Sequence, residues 1–71
     1  MPKMRSVYSS HIATIGYDED ARELHVKWDR GKTSIYSEVP PDIAHLVMNA
    51  KSVGEALNEH VKVPNLPHRY L

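Results

Sequence analysis

Five histidines, His11, His25, His45, His60 and His68, are the residues of this chain best suited to bind a metal or move a proton. Zinc needs three or four ligands converging at about 2 Å. No two of these histidines stand at the HxH or HxxxH spacing that brings a pair to one side of a strand or helix. Glu59 and His60 are neighbours, and neighbours diverge by about 100° on a helix. Glu23 and His25 would share one face of a strand, as an acid–base pair could. No Ser-His-acid set is brought together, and with Cys at 0 there is no thiol nucleophile and no disulfide. Scattered surface histidines are the expectation, with no metal, no cofactor and no enzymatic activity.

Nucleic-acid contact has a better case. Trp28 stands among Lys27, Arg30 and Lys32, with Tyr36 a little further on, and single-strand binders combine stacking rings with cations in this way. Trp28 and Tyr36 are also the large side chains a small core needs when Phe is 0. Acidic residues Asp18, Glu19, Asp20, Glu23 and Asp29 alternate with these bases, the pattern of a solvated surface with local pairs. Lys+Arg 9 against Asp+Glu 9 leaves a formal charge of +0, so the chain as a whole offers no general attraction to phosphate. Near the carboxyl end, Pro64-Asn65-Leu66-Pro67-His68-Arg69 has the PxxPxR form that SH3-type grooves read. The form is short and common by chance. A packed tail held by Leu66, Tyr70 or Leu71 is expected instead.

These residues are positioned by a single small domain. Seventy-one residues make one unit, and a chain of this size buries only roughly 60% of its unfolded surface. Its stability is therefore marginal, and self-association would relieve that. No apolar run approaches the roughly 18 residues of a membrane span. The start, Met1-Pro2-Lys3-Met4-Arg5-Ser6, has no hydrophobic signal segment, so a soluble cytoplasmic protein is expected.

Residues 7–17 are rich in strand-forming types. Ile12 and Ile15 reach one face only if a bulge intervenes near Ala13-Thr14, and Gly16 marks a bend or a close backbone approach. Glu23-Leu24-His25-Val26-Lys27-Trp28 alternates cleanly, turning Leu24, Val26 and Trp28 one way. Asp29-Arg30-Gly31 suits a type I turn closed by a glycine at positive φ. That turn sets Val26 opposite Ser34 and Leu24 opposite Tyr36, sends Tyr36 to the core face and turns Ile35 outward. Thr33 to Val39 is the third strand.

Pro40-Pro41 ends the sheet, and Pro41 fits a first helical turn with Asp42 beside it. Ile43, Leu46, Val47 and Ala50 form one apolar stripe. Ser52-Val53-Gly54-Glu55 is a capping box that opens a second helix with Val53, Ala56, Leu57 and Val61 inward. The expected fold is α+β: a three-stranded antiparallel meander followed by two helices packed on one sheet face. The other face would show Glu23, His25 and Lys27 to water or to a partner.

This order of motifs resembles the KTSC domain family, found at the carboxyl end of some lysyl-tRNA synthetases and as small stand-alone proteins. The resemblance is carried by Ser9-Ser10 with Ile12, Ile15-Gly16-Tyr17-Asp18, Leu24-x-Val26-x-Trp28 and Gly31. It continues through Tyr36, Val39-Pro40, Ala50-x-Ser52-x-Gly54, Asn58 and Val61-Lys62. The family centres on a Tyr-x-Tyr pair, where this chain reads Ser34-Ile35-Tyr36. The resemblance implies one KTSC-like domain over residues 1–62 and a Pro-containing tail over 63–71. It also implies RNA as a partner, a suggestion that comes from the synthetase context.

Two functions follow. Neutral charge and marginal stability favour a small non-enzymatic interaction module that binds a protein partner or a second copy of itself. The alternative is weak RNA or single-stranded nucleic-acid binding through Lys27, Trp28, Arg30, Lys32 and Tyr36. No membrane partner is expected.

Overall fold

The structure, a computed structural model, describes residues 2–7, 9 and 11–71. Of the strand expected over 7–17, Tyr8 and Ser10 lie outside the described residues. Strands β1 (Arg5–Ser6), β2 (Ile12–Asp18), β3 (Glu23–Trp28) and β4 (Thr33–Tyr36) are followed by helices α1 (Pro41–Met48) and α2 (Val53–Leu57). A π-helical turn, Asn58–Lys62, continues α2, and β5 (His68–Tyr70) ends the order. The strands form one antiparallel sheet in the order β1-β2-β3-β4-β5. The fold is α+β, with five strands where three were expected. The expected meander is its centre, and the additions come from the two ends of the chain. Both are short segments with no apolar alternation, held by ladder bonds that composition does not announce.

The hairpin between β3 and β4 sets the register. The Gly31 N–H donates to Trp28 O at 2.9 Å, the Trp28 N–H donates to Lys32 O at 2.8 Å, and Gly31 takes φ +94°. A glycine accepts that conformation without steric cost. Leu24 then pairs with Tyr36 and Val26 with Ser34. The register of β2 against β3 shifts between Ile12 and Thr14, so Ile12 and Ile15 both reach the inner face and are fully buried.

On that face Leu24, Val26 and Tyr36 join Val39, Ala44, Val47, Val53, Leu57 and Val61 in one core. Ser52 Oγ accepts from the Glu55 N–H at 3.4 Å, the capping bond its position predicts. The α1 stripe differs from expectation. Ala44 and Val47 are buried, Ile43 and Ala50 are half-buried, and Leu46 is 47% exposed. A helix of 8 residues that brings the small Ala44 against its neighbours turns Leu46 past the edge of the contact.

The outer face is not the open surface the alternation predicts. Ile35 does point outward, yet it is 2% exposed, and His25 is 6% exposed. The register lines up Gly16, His25, Ile35 and Arg69 as a row across this face. Lys3 and Met4 fold over one end of the row. A Cβ built on Gly16 would lie 2.7 Å from Met4 Sδ and 2.8 Å from Lys3 O, so only glycine permits that crossing. At the other end Arg69 Nη1 donates to Glu23 Oε2 at 2.8 Å, tying β5 to β3 across β4.

Among the described residues the buried His25 Nε2 has no hydrogen-bond partner, and Glu23 Oε1 at 3.8 Å is beyond hydrogen-bond reach. Burial lowers the His25 pKa from the usual imidazole value, against the opposing pull of Glu23 and Asp18. The unfolded chain therefore takes up this proton first as pH falls. Stability that is present above about pH 6.5 is lost as pH drops through that value toward the lower folded one. Urea denaturation at stepped pH between about 7.5 and 5 should show a falling midpoint, with the His25 ring titrating below about 6.5 by NMR. A flat stability profile over that window would contradict the assignment.

Candidate functional site

The inner face carries more than the core. Trp28, Ser34, Tyr36, His68 and Tyr70 all project to this side, by the alternation of β3, β4 and β5. The helices cover the middle of the sheet and leave the β4–β5 side open. After the π turn the chain reverses at Asn65, which takes φ 62°, a conformation asparagine tolerates. That reversal sets Lys62, Asn65 and Leu66 opposite the strands. Between them lies a cleft of about 500 Å³.

Its walls are mainly rings. Trp28 donates its indole N–H to Ser34 Oγ at 2.8 Å, which fixes the indole plane. Tyr36 and His68 stand with ring centroids 5.6 Å apart, and His68 meets Tyr70 edge-on at 6.1 Å. Lys62 Nζ is 4.6 Å from the centre of the Trp28 ring, and Lys32 Nζ is 5.9 Å from that of Tyr70. Burial pushes the Tyr36 phenol above its usual value, so it remains a neutral hydroxyl. His11 adds to the wall, and among the described residues no carboxylate lines the cleft. Such a surface can stack flat rings and attract negative charge.

The π turn is what aims Lys62. The Val63 N–H donates to Asn58 O at 2.8 Å, a bond one residue wider than in an α-helix. The extra residue keeps Val61 in the core while Lys62 lies over the indole.

The five residues named as nucleic-acid contacts are not all brought to one place. Trp28 and Tyr36 share the cleft, and Lys32 reaches its rim through Tyr70. Lys27 pairs with Thr33 on the outer face, and strand alternation turns it away from Trp28. Arg30 is exposed in the hairpin turn and does not line the cleft. Expecting a basic cluster from nearness in sequence overlooked this period of two. Lys62, His68 and Tyr70, from the far end of the chain, take the missing places. The alternation His68-Arg69-Tyr70 is the one strand-like signal in the tail.

The PxxPxR segment is occupied within the fold. Pro67 O accepts from the Ser37 N–H at 2.7 Å, and Arg69 is paired with Glu23. The tail is packed as expected, although its anchors differ. Leu66 packs against the core, whereas Tyr70 at 68% and Leu71 at 74% are exposed and the backbone ladder holds them. Among the described residues no group of three His, Asp or Glu is placed to hold a metal ion. No helix among them is long and apolar enough to cross a membrane.

A protein of Tsukamurella paurometabola is 37% identical to this chain over 59 residues, spanning 83% of it and 88% of the relative. A protein of Stutzerimonas stutzeri, described as uncharacterized, is 30% identical over 60 residues, 84% of each chain. The crystal structure of a KTSC domain protein from Yersinia pestis shares the fold with a TM-score of 0.89 and 30% identity, covering 100% of this chain and 99% of that one. The KTSC domain pattern itself matches residues 8–63, which hold β2, β3, β4, both helices and the π turn, and the chain belongs to the KTSC domain family.

Proposed function

We propose that this chain is a small non-enzymatic binding module of the cytoplasm that holds single-stranded RNA in the cleft beside Trp28. The observation that carries the reading is the make-up of the walls. The half-buried Trp28 and the exposed His68 and Tyr70 supply rings above the buried Tyr36, and the charged side chains at the cleft and its rim, Lys62 and Lys32, are cationic. Overall neutrality argues against strong general attraction to phosphate, but a local concentration of one sign draws a ligand to one place. Each base stacked on an aromatic ring contributes about 1–3 kcal/mol, largely regardless of sequence. Salt-dependent, modest affinity with little sequence preference is the consequence.

A titration of the isotope-labelled protein with an oligouridylate at low salt tests this by NMR. Amides at Trp28, Ser34, Tyr36, Lys62 and residues 68–70 should shift, and the shifts should diminish as salt is raised. Replacing the exposed Tyr70→Ala should weaken binding about fivefold or more. Lys27→Gln, on the outer face, should leave it unchanged. Absence of shifts around the cleft, or shifts indifferent to salt, would overturn the reading.

The free edge of β5 favours a second reading, self-association. The Leu71 N–H donates to Thr33 O at 2.9 Å and Pro67 O accepts from Ser37, so residues 67 and 71 face β4. His68 and Tyr70 between them turn their backbone donors and acceptors outward. Two copies could pair these edges antiparallel and extend the sheet. Sedimentation across a concentration series up to the high micromolar range should then show a dimer. A strict monomer throughout would dismiss it.

A further inference from the structure

We propose that the cleft is half of a longer groove that takes two successive nucleotides, with the phosphate joining them held at Lys62 and His11. This rests on the RNA reading above and gives its ligand a length. A second hollow of about 810 Å³ lies beside the cleft and reaches the start of α2. The two hollows share His11, Trp28 and Lys62 as a common wall. Both volumes fall in the range of about 300–1,000 Å³ typical of small-molecule sites, so each has room for one base and its sugar.

The two halves differ in chemistry. The first is lined by His68 and Tyr70, whose exposed rings suit stacking, over the buried Tyr36. The second is lined by Ser9, Ser52 and Asn58 with Lys51 at its side, groups that hydrogen-bond to a base edge or a ribose hydroxyl. Two nucleotides in these hollows carry their shared phosphodiester across the partition, where the cation stands. Among the described residues Lys62 makes no ion pair, and its ammonium rests on the Trp28 ring. That charge is therefore available to a phosphate without breaking a salt bridge. Among the described residues Glu55, in the first turn of α2, is the one carboxylate lining either hollow, and it lines the second.

Trp28 is the only tryptophan of the chain, so its fluorescence reads the partition directly. The probes are uridine 5′-monophosphate, the dinucleoside monophosphate UpU, and an oligouridylate of eight residues. UpU should bind about tenfold tighter than the mononucleotide, the effect of a second base worth about 1.4 kcal/mol, although it carries less charge. Asn58→Ala should weaken UpU and leave the mononucleotide unchanged. Lys62→Gln should weaken both UpU and the octamer severalfold. Equal binding of UpU and the mononucleotide, while the octamer still binds at the cleft, would overturn the two-unit groove and leave the RNA reading standing. UpU and octamer affinities left unchanged by Lys62→Gln would overturn the placement of the phosphate. Absence of binding by the octamer as well would overturn both readings.

Discussion

The structure depends on one turn. Gly31 at φ +94° lets β3 and β4 meet with Val26 opposite Ser34 and Leu24 opposite Tyr36. A slip of one residue would move every side chain of β4 to the other face. Ile35 would then be driven against the helices, and Tyr36 would leave both the core and the cleft. The core and the candidate site are thus two ends of the same inner face. One end is closed by the stripe of α2 at Val53, Ala56 and Leu57, and the other is left open because the chain runs out of helix.

The central hairpins were legible in the sequence because their signals are local. Alternation from Glu23 to Trp28, the Asp29-Arg30-Gly31 turn and the Ser52–Glu55 cap each specify geometry within a few residues. The bulge between Ile12 and Thr14 was legible because two isoleucines three apart cannot otherwise share a face. What lay hidden depends on distant contacts. Two exposed residues at β1 and three at β5 become strands only because finished edges wait for them. The crossing of Lys3 and Met4 over Gly16 on the outer face likewise has no pattern in the sequence that reveals it. The cleft was half legible: Trp28 and Tyr36 were identifiable, whereas Lys62 needed the wider turn that no capping or propensity rule anticipates.

Ser34 shows how a small residue shapes a site. It occupies one place of the family's Tyr-x-Tyr pair, is 2% exposed, and accepts the indole N–H of Trp28. A large ring at that position would project into the space between Trp28 and Tyr70 that is now open. The hydroxyl keeps the indole in a fixed plane while leaving room in front of it. The absence of a second ring here is thus accompanied by a gain in depth, and His68 and Tyr70 from β5 supply aromatic surface on the far side.

The two faces of the sheet have separate chain ends. Lys3 and Met4 cross the outer face at Gly16, whereas Leu71 follows the last strand beside the rings of the inner face. A tether attached at the amino end therefore presents the groove to solution. One attached at the carboxyl end emerges beside its mouth, where a linker or a fused neighbour would crowd whatever enters.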